Sequence, residues 1–469
     1  MAKNRQLIIV SNRLPLQLKT DGSETKLLPS SGGLVTAVKP VAQKNRAKWF
    51  GFLGFKLSPE TIKEVRKRAY EPIEIDEDLY SRYYNGYCNG TLWPIMHYFT
   101  QTATFYPEDW EAYEKVNRQF AQVIAQKAPL HASIWVHDYH LMLLPATLKR
   151  LRPDLFVSYF HHIPFPAVDI ARMIPQAETL VDSLLHCDHV GFHTENYVQN
   201  FSSTARNLMA AERHGAFISY RGHRCLITAN PISIDFDEFD SLSRSERCEK
   251  GLGLLKASNY KIILGVDRMD YTKGIIERLE GFRHFLHSHP EWVNRVILLQ
   301  ICVPSRDDVP SYQRLKQRIE RFVGEINGTF GTPDYTPVHY FYQSVSRPQL
   351  VGLYKIANTM IVSSLRDGMN LVSKEYVAAN SLEKGVLILS KFAGSAQQLQ
   401  ESILVNPYDI REISDALLRD LTMPDEERHY RMHRLRHTVR QYNQNVWSHS
   451  IFEAWLKSRS SGKKLQVVS

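Results

Sequence analysis

The stretch KIILGVDRMDYTKGIIERLEGFRHFLH, residues 261–287, decides the fold class of this 469-residue chain. It begins with the short apolar run Lys261–Val266, passes through a polar loop and continues into the helix-like pattern of Ile275–His287. An apolar run without strict alternation is typical of a strand buried on both faces of a parallel sheet. A strand that leads directly into a helix is the repeating unit of such sheets. The stretch therefore predicts an α/β fold.

The same alternation of apolar run and helix recurs along the chain. Further runs lie at Leu7–Val10, Ser133–Val136, Leu155–Phe160, His189–Phe192, Cys225–Thr228, Arg295–Ile301, Val338–Tyr342, Thr359–Ser363, Gly385–Leu389 and Ser402–Val405. Helix-like segments between them include Trp110–Lys127, Gln176–Leu185 and Tyr312–Ile326. These strands are too many for one modest open sheet, so the pattern predicts two α/β domains joined by right-handed crossovers.

The boundary between the two domains is expected near Pro231–Phe239, where an Asn-Pro turn ends one strand. We expect an N-terminal domain at residues 1–235 and a C-terminal domain at 236–457, with the last helix left open to pack back on the first domain. A polar helical stretch at Ser241–Lys256 is expected before the strand at Lys261. The remaining residues, 458–469, are polar and are expected to form a frayed tail.

Composition excludes several classes of protein. The formal net charge is +9, from 58 Lys and Arg against 49 Asp and Glu, but no long basic run concentrates it. This disfavours nucleic-acid binding and suits anionic small molecules.

The five scattered cysteines contain no Cys-x-x-Cys pair, which favours a reducing cytoplasm. There is no signal-peptide pattern, and no apolar segment is long enough to span a bilayer, so no membrane partner is expected.

Polar residues collect where the predicted strands end. In open α/β sheets, ligands bind beyond the carboxyl ends of the strands. Arg, Asp and His are frequent there, in Ser11–Arg13, His137–His140, His161–His162, Arg268–Lys273, Ser305–Asp308 and Arg366–Asn370. This composition predicts an anionic ligand that is rich in hydroxyl groups.

Arg268 and Lys273 follow the strand at Lys261, and Gly274 comes directly after the lysine. A guanidinium offers a bidentate fork and an ammonium a movable point charge, so the pair is suited to a diphosphate. Alternatively, the two cations lie at the surface and bridge Asp267 and Asp270. The local sequence leaves both interpretations open.

The segment LRDGMNLVSKEY, residues 365–376, follows another strand and is expected to open a helix. Backbone N–H groups at a helix start, exposed by Gly368, suit phosphate and sugar hydroxyls. Glu375 lies within that helix, where its carboxylate can accept hydrogen bonds from a ribose diol. Alternatively, the loop only caps the helix, with Asp367 or Asn370 as the cap.

The histidines do not predict a metal site. His137 and His140 flank Asp138, and a second group comprises His186, His189 and His193, but neither group matches a known ligand motif. Each group crosses a predicted strand boundary, where its side chains are not expected to converge. His162 follows an apolar run and is expected to face the ligand.

An ordered set of motifs resembles the signatures of trehalose-6-phosphate synthases. The motifs keep the order of that family and span about residue 6 to residue 456. They are Ser11–Arg13, Ser31–Gly33, Leu92–Pro94, His137–His140, His162–Pro166, Gly191–Thr194, Arg268–Gly274 and Arg366–Asn370.

The resemblance implies two Rossmann-like domains that face each other across a cleft, the GT-B arrangement. It implies UDP-glucose as donor, with ADP- or GDP-glucose as other options, and glucose 6-phosphate as acceptor. The implied donor-binding residues are Gly33, His162, Arg268, Lys273, Asp367, Gly368, Met369, Asn370, Leu371 and Glu375. The implied acceptor-binding residues are Arg13, Tyr84, Trp93, Asp138 and Arg306. Arg268, Lys273, Asp138, His162 and Asp367 form the implied catalytic set.

The implied chemistry is glucosyl transfer with retention of configuration. Negative charge grows on the departing diphosphate, and Arg268 and Lys273 can stabilise it, so no metal or other cofactor is expected. Front-face attack would let the departing phosphate take the acceptor proton, and no enzyme nucleophile would be needed. A double-displacement glycosidase would instead need two carboxylates beside the scissile bond. A homo-oligomer is a further option.

Two departures from the family pattern keep alternatives open. Ser233 stands where the family usually has Gly, and His161 precedes His162 where an apolar residue is common. The His-His pair also resembles glucosylglycerol-phosphate synthases, which use ADP-glucose and glycerol 3-phosphate. The Ser11–Arg13 motif and Arg306 keep the trehalose-type form, which favours glucose 6-phosphate. A non-catalytic subunit that binds sugar phosphates is the alternative from another class.

Overall fold

The structure is a computed structural model that describes residues 5–21, 24–30, 32–248, 259–305 and 309–462. The contacts divide the chain into two units. The first unit comprises residues 1–232 together with 447–469, and the second comprises 233–446. Within the described ranges, no helix combines the length and apolar character needed to cross a membrane.

The first unit contains eleven described strands and the helices between them. The strands are β1 Leu7–Arg13, β2 Leu16–Asp21, β3 Glu24–Pro29, β4 Lys48–Phe52, β5 Tyr70–Pro72, β6 Ser133–His137, β7 Phe156–Phe160, β8 His189–Phe192, β9 Glu212–His214, β10 Phe217–Tyr220 and β11 His223–Ala229. The helices are α1 Gly33–Lys44, α2 Pro59–Lys67, α3 Glu77–Ser81, α4 Trp93–Met96, α5 Pro107–Lys127, α6 Leu144–Leu151, α7 Val168–Ala171, α8 Ala177–Leu185 and α9 Glu195–Met209. A π-helical segment, Arg82–Leu92, precedes α4, and short 3₁₀ turns lie at Thr100–Thr102 and Tyr139–Leu141.

The main sheet of the first unit has the order β5-β4-β1-β6-β7-β8-β11-β10-β9. Its strands are parallel from β5 to β11, and β10 and β9 extend the edge in antiparallel orientation. The chain leaves β1 to build one half of the sheet and returns beside it at β6, where Ile8 pairs with Ile134. Numbered by position along the chain, the first six parallel strands have the 3-2-1-4-5-6 order of a Rossmann fold.

The second unit has six described strands in one parallel sheet, in the order β14-β13-β12-β15-β16-β17. The strands are β12 Lys261–Arg268, β13 Val296–Val303, β14 Val338–Tyr342, β15 Thr359–Val362, β16 Val386–Ser390 and β17 Ile403–Val405. The helices are α10 Phe236–Ser243, α11 Ile275–Ser288, α12 Pro310–Phe330, α13 Arg347–Ile356, α14 Leu371–Ala379, α15 Ile410–Leu421 and α16 Asp425–Gln441. The last helix is α17 Gln444–Gly462. Its residues up to Val446 belong to this unit, and those from Trp447 onward belong to the first unit. Short 3₁₀ turns lie at Glu246–Cys248, Tyr271–Lys273, Pro290–Trp292 and Gly394–Gln397.

The inner strands of both sheets are buried on both faces, as the apolar runs predict. Every residue of β6, β7, β15 and β16 is buried. In the second unit, alternate residues of β12 join different apolar cores, with Leu264 on one face and Ile263 on the other. This two-sided burial explains why the strands lack the alternation of a half-exposed sheet. The predicted α/β fold with two Rossmann-like domains is confirmed.

Several elements differ from the sequence-based expectation. The hairpin β2–β3, the short strands β4 and β5, and the edge strands β9 and β10 were not among the predicted runs. The helical stretch expected at Ser241–Lys256 begins earlier than predicted, because α10 spans Phe236–Ser243 and is followed by a 3₁₀ turn at Glu246–Cys248. Asp235 starts that helix by accepting the backbone N–H of Glu238. Residues 249–258 lie outside the described residues. The last helix continues to Gly462, beyond the start of the expected polar tail.

Candidate functional site

The loop after β12 is held by its own acidic side chain. Asp270 accepts hydrogen bonds from the backbone N–H and the hydroxyl of Thr272, at 3.0 and 2.9 Å, and from the Tyr312 hydroxyl at 3.2 Å. Gly274 follows with φ of 61°, and a Cβ there would lie 2.0 Å from the Ser363 carbonyl oxygen. Only glycine allows the backbone to approach β15 so closely. The loop therefore brings Lys273 beside the segment that follows β15.

Lys273 makes an ion pair with a carboxylate from that neighbouring segment. Its Nζ lies 2.7 Å from Oδ2 of Asp367, and both side chains are largely buried. The same carboxylate oxygen accepts hydrogen bonds from the Ser364 hydroxyl at 3.2 Å and the Asn370 amide at 3.1 Å. The alternative in which Lys273 bridges Asp267 and Asp270 is thus not observed. Arg268 ends β12 as an exposed side chain.

Asp267 instead takes part in a buried network beneath the loop. The Arg278 guanidinium, which is 1% exposed, donates to Asp267 at 2.7 Å, to Gln300 at 2.8 Å and to the Ser363 hydroxyl at 3.1 Å. Removing one partner of a buried ion pair usually costs about 3–5 kcal/mol, because the other charge is left unpaired. This network therefore holds the carboxyl ends of β12, β13 and β15 together.

The segment from Asp367 to Asn370 is fixed to a second loop. The Asp367 carbonyl accepts the N–H of Gly394 at 3.1 Å, and the Met369 carbonyl accepts the N–H of Ser395 at 2.8 Å. A Cβ at Gly394 would lie 2.1 Å from the Gly368 carbonyl oxygen, so the two backbones are in close contact. The Phe392–Ser395 turn therefore supports the backbone that the sequence predicts to bind a ligand.

Asn370 caps the helix that begins at Leu371. It has φ of 73°, and its side-chain oxygen accepts the N–H of Ser373 at 2.9 Å. The capping interpretation of this loop therefore holds for Asn370. The Asp367 carboxylate instead bonds Lys273, Ser364 and Asn370. A cap at Asn370 is compatible with a site at the helix start, because one side chain satisfies only part of the N–H groups there.

Glu375 lies one turn into α14 and is held by a buried hydroxyl. The Tyr354 hydroxyl donates to Oε2 of Glu375 at 3.1 Å. Burial raises the pKa of Glu375, while the hydrogen bond from Tyr354 works in the opposite direction. The preceding residue, Lys374, is only 1% exposed, and its Nζ donates to Oε1 of Gln398 at 2.7 Å. Burial lowers the pKa of Lys374 to about 7. Nothing in the local sequence singles out Tyr354 or Lys374.

In the first unit, Arg13 ends β1 beside two tyrosines. Its Nε donates to the Tyr80 hydroxyl at 3.0 Å, and its guanidinium carbon lies 5.0 Å from the centre of the Tyr84 ring. Tyr84 stacks between Tyr80 and His140, with ring centres 5.4 and 5.8 Å away. Arg13 and Tyr84 are therefore together, as predicted. An arginine held by aromatic rings keeps its planar fork oriented for an anion.

Trp93 is more deeply buried than its predicted role in acceptor binding suggests. Its side chain is 5% exposed and packs on His97 and Tyr139, with ring centres 4.0 and 5.8 Å away. Gly33 is exposed and is the first residue of α1. Arg306 lies outside the described residues.

Asp138 and His162 meet at the carboxyl ends of β6 and β7. Asp138 has φ of 74°, and its Oδ1 accepts the N–H of Tyr139 at 3.0 Å and the N–H of His162 at 3.3 Å. The ring of His162 contacts His137, with Nε2 and Nδ1 2.9 Å apart. His193, at the end of β8, contacts the His162 carbonyl through Nε2 at 3.1 Å. This cluster takes His137 from one predicted group and His193 from the other, together with His162, a combination that spacing within either group does not predict.

The histidines converge because β6, β7 and β8 are neighbours in the sheet, and each strand supplies one ring at its end. Within the described ranges, no three His, Cys, Asp or Glu side chains form a group that could hold a metal ion. His161 points elsewhere. It is fully buried, with ring nitrogens 3.0 Å from the Tyr159 hydroxyl and 3.4 Å from the Pro164 carbonyl oxygen. His161 is thus a packing residue.

Comparison with known proteins gives consistent matches over almost the whole chain. The family model described as Glycosyltransferase family 20 matches residues 5–456. An alpha,alpha-trehalose-phosphate synthase of the UDP-forming kind from Aspergillus niger is 39% identical over 457 residues, which are 95% of this chain and 88% of that protein.

Solved structures agree with the sequence matches. A UDP-forming alpha,alpha-trehalose-phosphate synthase from Burkholderia xenovorans, in complex with glucose-6-phosphate, has a TM-score of 0.87 and 33% identity over 96% of this chain and 99% of its own. An E. coli protein bound with UDP-2-fluoro glucose has a TM-score of 0.88 and 32% identity over 96% of this chain and 98% of its own.

Proposed function

The chain belongs to glycosyltransferase family 20, and we propose on that basis that it transfers glucose from UDP-glucose to glucose 6-phosphate. The products are UDP and α,α-trehalose 6-phosphate. Relatives 39% identical over most of the chain are named as UDP-forming synthases of this kind. UDP-glucose is an α-linked donor and the product is α-linked at both anomeric carbons, so the transfer retains configuration at the donor carbon.

The second unit binds the donor in this proposal. Arg268 and Lys273 neutralise the diphosphate, and Glu375 accepts hydrogen bonds from the ribose hydroxyls. The transferred glucose is held by the Asp367 carboxylate and by the segment that leads into α14, namely Gly368, Met369, Asn370 and Leu371. The Lys273–Asp367 ion pair at 2.7 Å supports this assignment most directly, because it joins the diphosphate-binding and sugar-binding groups.

The first unit binds the acceptor. Arg13 and Tyr84 hold the phosphate of glucose 6-phosphate. Trp93, which is buried, and Arg306, which belongs to the second unit, are assigned to the same group. Asp138 accepts a hydrogen bond from the acceptor sugar. His162 contributes a ring contact to the donor glucose, and Gly33 opens the helix that follows the N-terminal loop.

The chemical step depends on charge stabilisation and positioning. As the glycosidic bond breaks, negative charge grows on the β-phosphate, where a guanidinium and an ammonium group lower the barrier. The departing phosphate oxygen takes the proton of the attacking hydroxyl on the same face of the sugar. Holding two anionic substrates in the reactive geometry supplies much of the remaining rate increase. This step needs no covalent glucosyl-enzyme intermediate.

A cytoplasmic location is part of the proposal. All five cysteines lie in described parts of the chain, and each is a buried thiol that forms no disulfide. That state fits a reducing compartment.

The test measures nucleotide release and product mass with UDP-, ADP- and GDP-glucose, each paired with glucose 6-phosphate or glycerol 3-phosphate. We expect the fastest turnover with UDP-glucose and glucose 6-phosphate. Faster turnover with ADP-glucose and glycerol 3-phosphate would replace the proposal with glucosylglycerol-phosphate synthesis. Binding of glucose 6-phosphate without turnover of any pair would replace it with a regulatory role.

A further inference from the structure

His162 is held at three separate points. Its backbone N–H donates to Asp138, its carbonyl oxygen lies 3.1 Å from Nε2 of His193, and its ring Nε2 lies 2.9 Å from Nδ1 of His137. The first two contacts fix the backbone. The ring packs on Phe160, with centres 4.7 Å apart, and within the described residues its one ring-nitrogen hydrogen bond is to His137, which therefore decides which ring nitrogen carries the hydrogen.

The proton on His193 can be located from its partners. The backbone N–H of Ile232 donates to Nδ1 of His193 at 3.4 Å, so Nδ1 is the unprotonated nitrogen. Nε2 therefore carries the hydrogen and donates it to the His162 carbonyl. This bond holds the His162 backbone without constraining the His162 ring.

His137 and His162 are both neutral at ordinary pH. Burial lowers the pKa of His137 to about 3. Burial, together with the proximity of His137, holds the pKa of His162 well below its usual range. Two neutral imidazoles 2.9 Å apart share one hydrogen between Nδ1 of His137 and Nε2 of His162. Either ring can donate that hydrogen. If His137 donates it, the proton of His162 lies on Nδ1; if His162 donates it, the proton of His162 lies on Nε2.

The surroundings of His137 favour His137 as the donor. Its Nε2 is buried and has no hydrogen-bond partner within the described residues. A buried N–H without an acceptor is rarer in proteins than an acceptor without a donor, so Nε2 is better left unprotonated. The ring of Trp135 packs on His137 with centres 4.5 Å apart, and its own buried N–H also lacks an acceptor. The neighbouring indole can therefore offer an N–H donor to Nε2 of His137, but it offers no acceptor for a proton on that nitrogen.

We propose that His137 is a positioning residue: its Nδ1–H donates to Nε2 of His162 and fixes that ring in the Nδ1–H tautomer. The His162 Nδ1 has no hydrogen-bond partner within the described part of the chain, and His162 is half-buried. It is therefore available to donate to a ligand hydroxyl. The inference rests on the proposed function only in taking that hydroxyl to belong to the donor glucose.

The tautomer is measured directly by ¹⁵N NMR of the full chain labelled at histidine, because protonated and bare ring nitrogens resonate far apart. The His162 signals are assigned from their loss in His162→Gln. We expect the proton on Nδ1 of His162 in the wild-type protein. A proton on Nε2 would overturn the proposal. This readout is independent of turnover, so it separates failure of the inference from failure of the proposed function.

Two variants test the role of the bond. In His137→Asn the amide N–H can replace Nδ1–H, whereas His137→Leu has no donor. We expect His137→Asn to keep the His162 tautomer and most of the turnover. His137→Leu should lose the single tautomer and about tenfold in kcat, the effect of one hydrogen bond, with the KM for glucose 6-phosphate unchanged. Equal tautomer and kcat in both variants would overturn the proposal.

Discussion

The two units share a strand order but carry different kinds of side chain at the ends of their strands. Both have the Rossmann strand order, yet the strand ends of the second unit are dominated by ion pairs, Lys273 with Asp367 and Arg278 with Asp267. The strand ends of the first unit have the imidazole rings of His137, His162 and His193 at β6, β7 and β8. The strand ends of the second unit therefore form a charged half-site, and those of the first unit form a half-site that is largely neutral.

The difference follows from what each half-site has to do. In the proposed function a diphosphate departs from the second unit and develops charge during the reaction, which fixed positive groups would stabilise. A sugar hydroxyl develops little charge, and neutral donors and acceptors are sufficient to orient it. In the first unit, charged side chains at the strand ends include Asp138 after β6 and Arg13 at the end of β1, where the phosphate of the acceptor is proposed to bind.

The largest expected effect is on the charged half-site. Arg268→Ala and Lys273→Ala should each lower kcat by roughly 10²-fold or more, because each removes charge stabilisation in the transition state. Steady-state kinetics with saturating glucose 6-phosphate measures this. Arg434→Ala, which removes an exposed cation from α16, is the matched control and should leave kcat unchanged. Near-normal rates in both Arg268→Ala and Lys273→Ala would show that these cations do not stabilise the departing diphosphate.

The next effect concerns the acceptor. Arg13→Ala should raise the KM for glucose 6-phosphate by at least about tenfold, since a charge-assisted hydrogen bond to phosphate is worth roughly 1.5–3 kcal/mol. The KM for UDP-glucose should change little. Lys48→Ala, an exposed cation at the amino end of β4 in the same sheet, serves as the control. A comparable loss of donor affinity in Arg13→Ala would mean that the two half-sites are not separate.

Acid should destabilise the first unit more than the second. Burial lowers the pKa of His137, His161 and His189 to about 3, against an ordinary value of 6.5. Below pH 6.5 the unfolded chain binds protons that the native state does not, so stability falls as the pH falls toward 3. Each histidine costs up to about 1.4 kcal/mol per pH unit in that window.

Hydrogen exchange at pH 7.5 and pH 5.5, read by mass spectrometry of peptides, compares the two units within one sample. We expect protection to fall first in the peptides that contain β6, β7 and β8. Uniform loss across both units would show that the neutral histidines of the first unit do not determine its response to acid.

The smallest effect is on nucleotide affinity. Burial raises the pKa of Glu375, and only its ionised form accepts hydrogen bonds from both ribose hydroxyls. The KM for UDP-glucose should therefore rise as the pH falls toward that raised pKa. Glu375→Gln should raise the KM by about fivefold, the scale of one hydrogen bond, and abolish this pH dependence. Glu426→Gln, at an exposed position on α16, should behave as wild type.

The sequence predicted the strands of both sheets that are buried on two faces. His189–Phe192 is buried throughout and has the predicted bounds, because a continuous apolar run is a strong signal. Val338–Tyr342 also has the predicted bounds, although only its first residue is buried. The strands that were missed lack that signal. Glu212–His214 is polar and exposed at the sheet edge, and the hairpin β2–β3 lies outside the main sheet.

The charged half-site was also easier to predict than the neutral one. Lys273 and Asp367 follow predicted strands, and charge after an apolar run is conspicuous in a sequence. The grouping of His137, His162 and His193 depends on which strands are neighbours, and spacing along the chain does not reveal it. The hydrogen bond from Tyr354 to Glu375 joins two helices and leaves no trace in local sequence.

Calorimetric titration of two variants tests the central claim, that the donor diphosphate and the acceptor are held mainly by different units. Lys273→Ala should weaken UDP binding by at least about tenfold while the Kd for glucose 6-phosphate stays near wild type, and Arg13→Ala should do the reverse. Loss of both ligands in either variant would contradict the account.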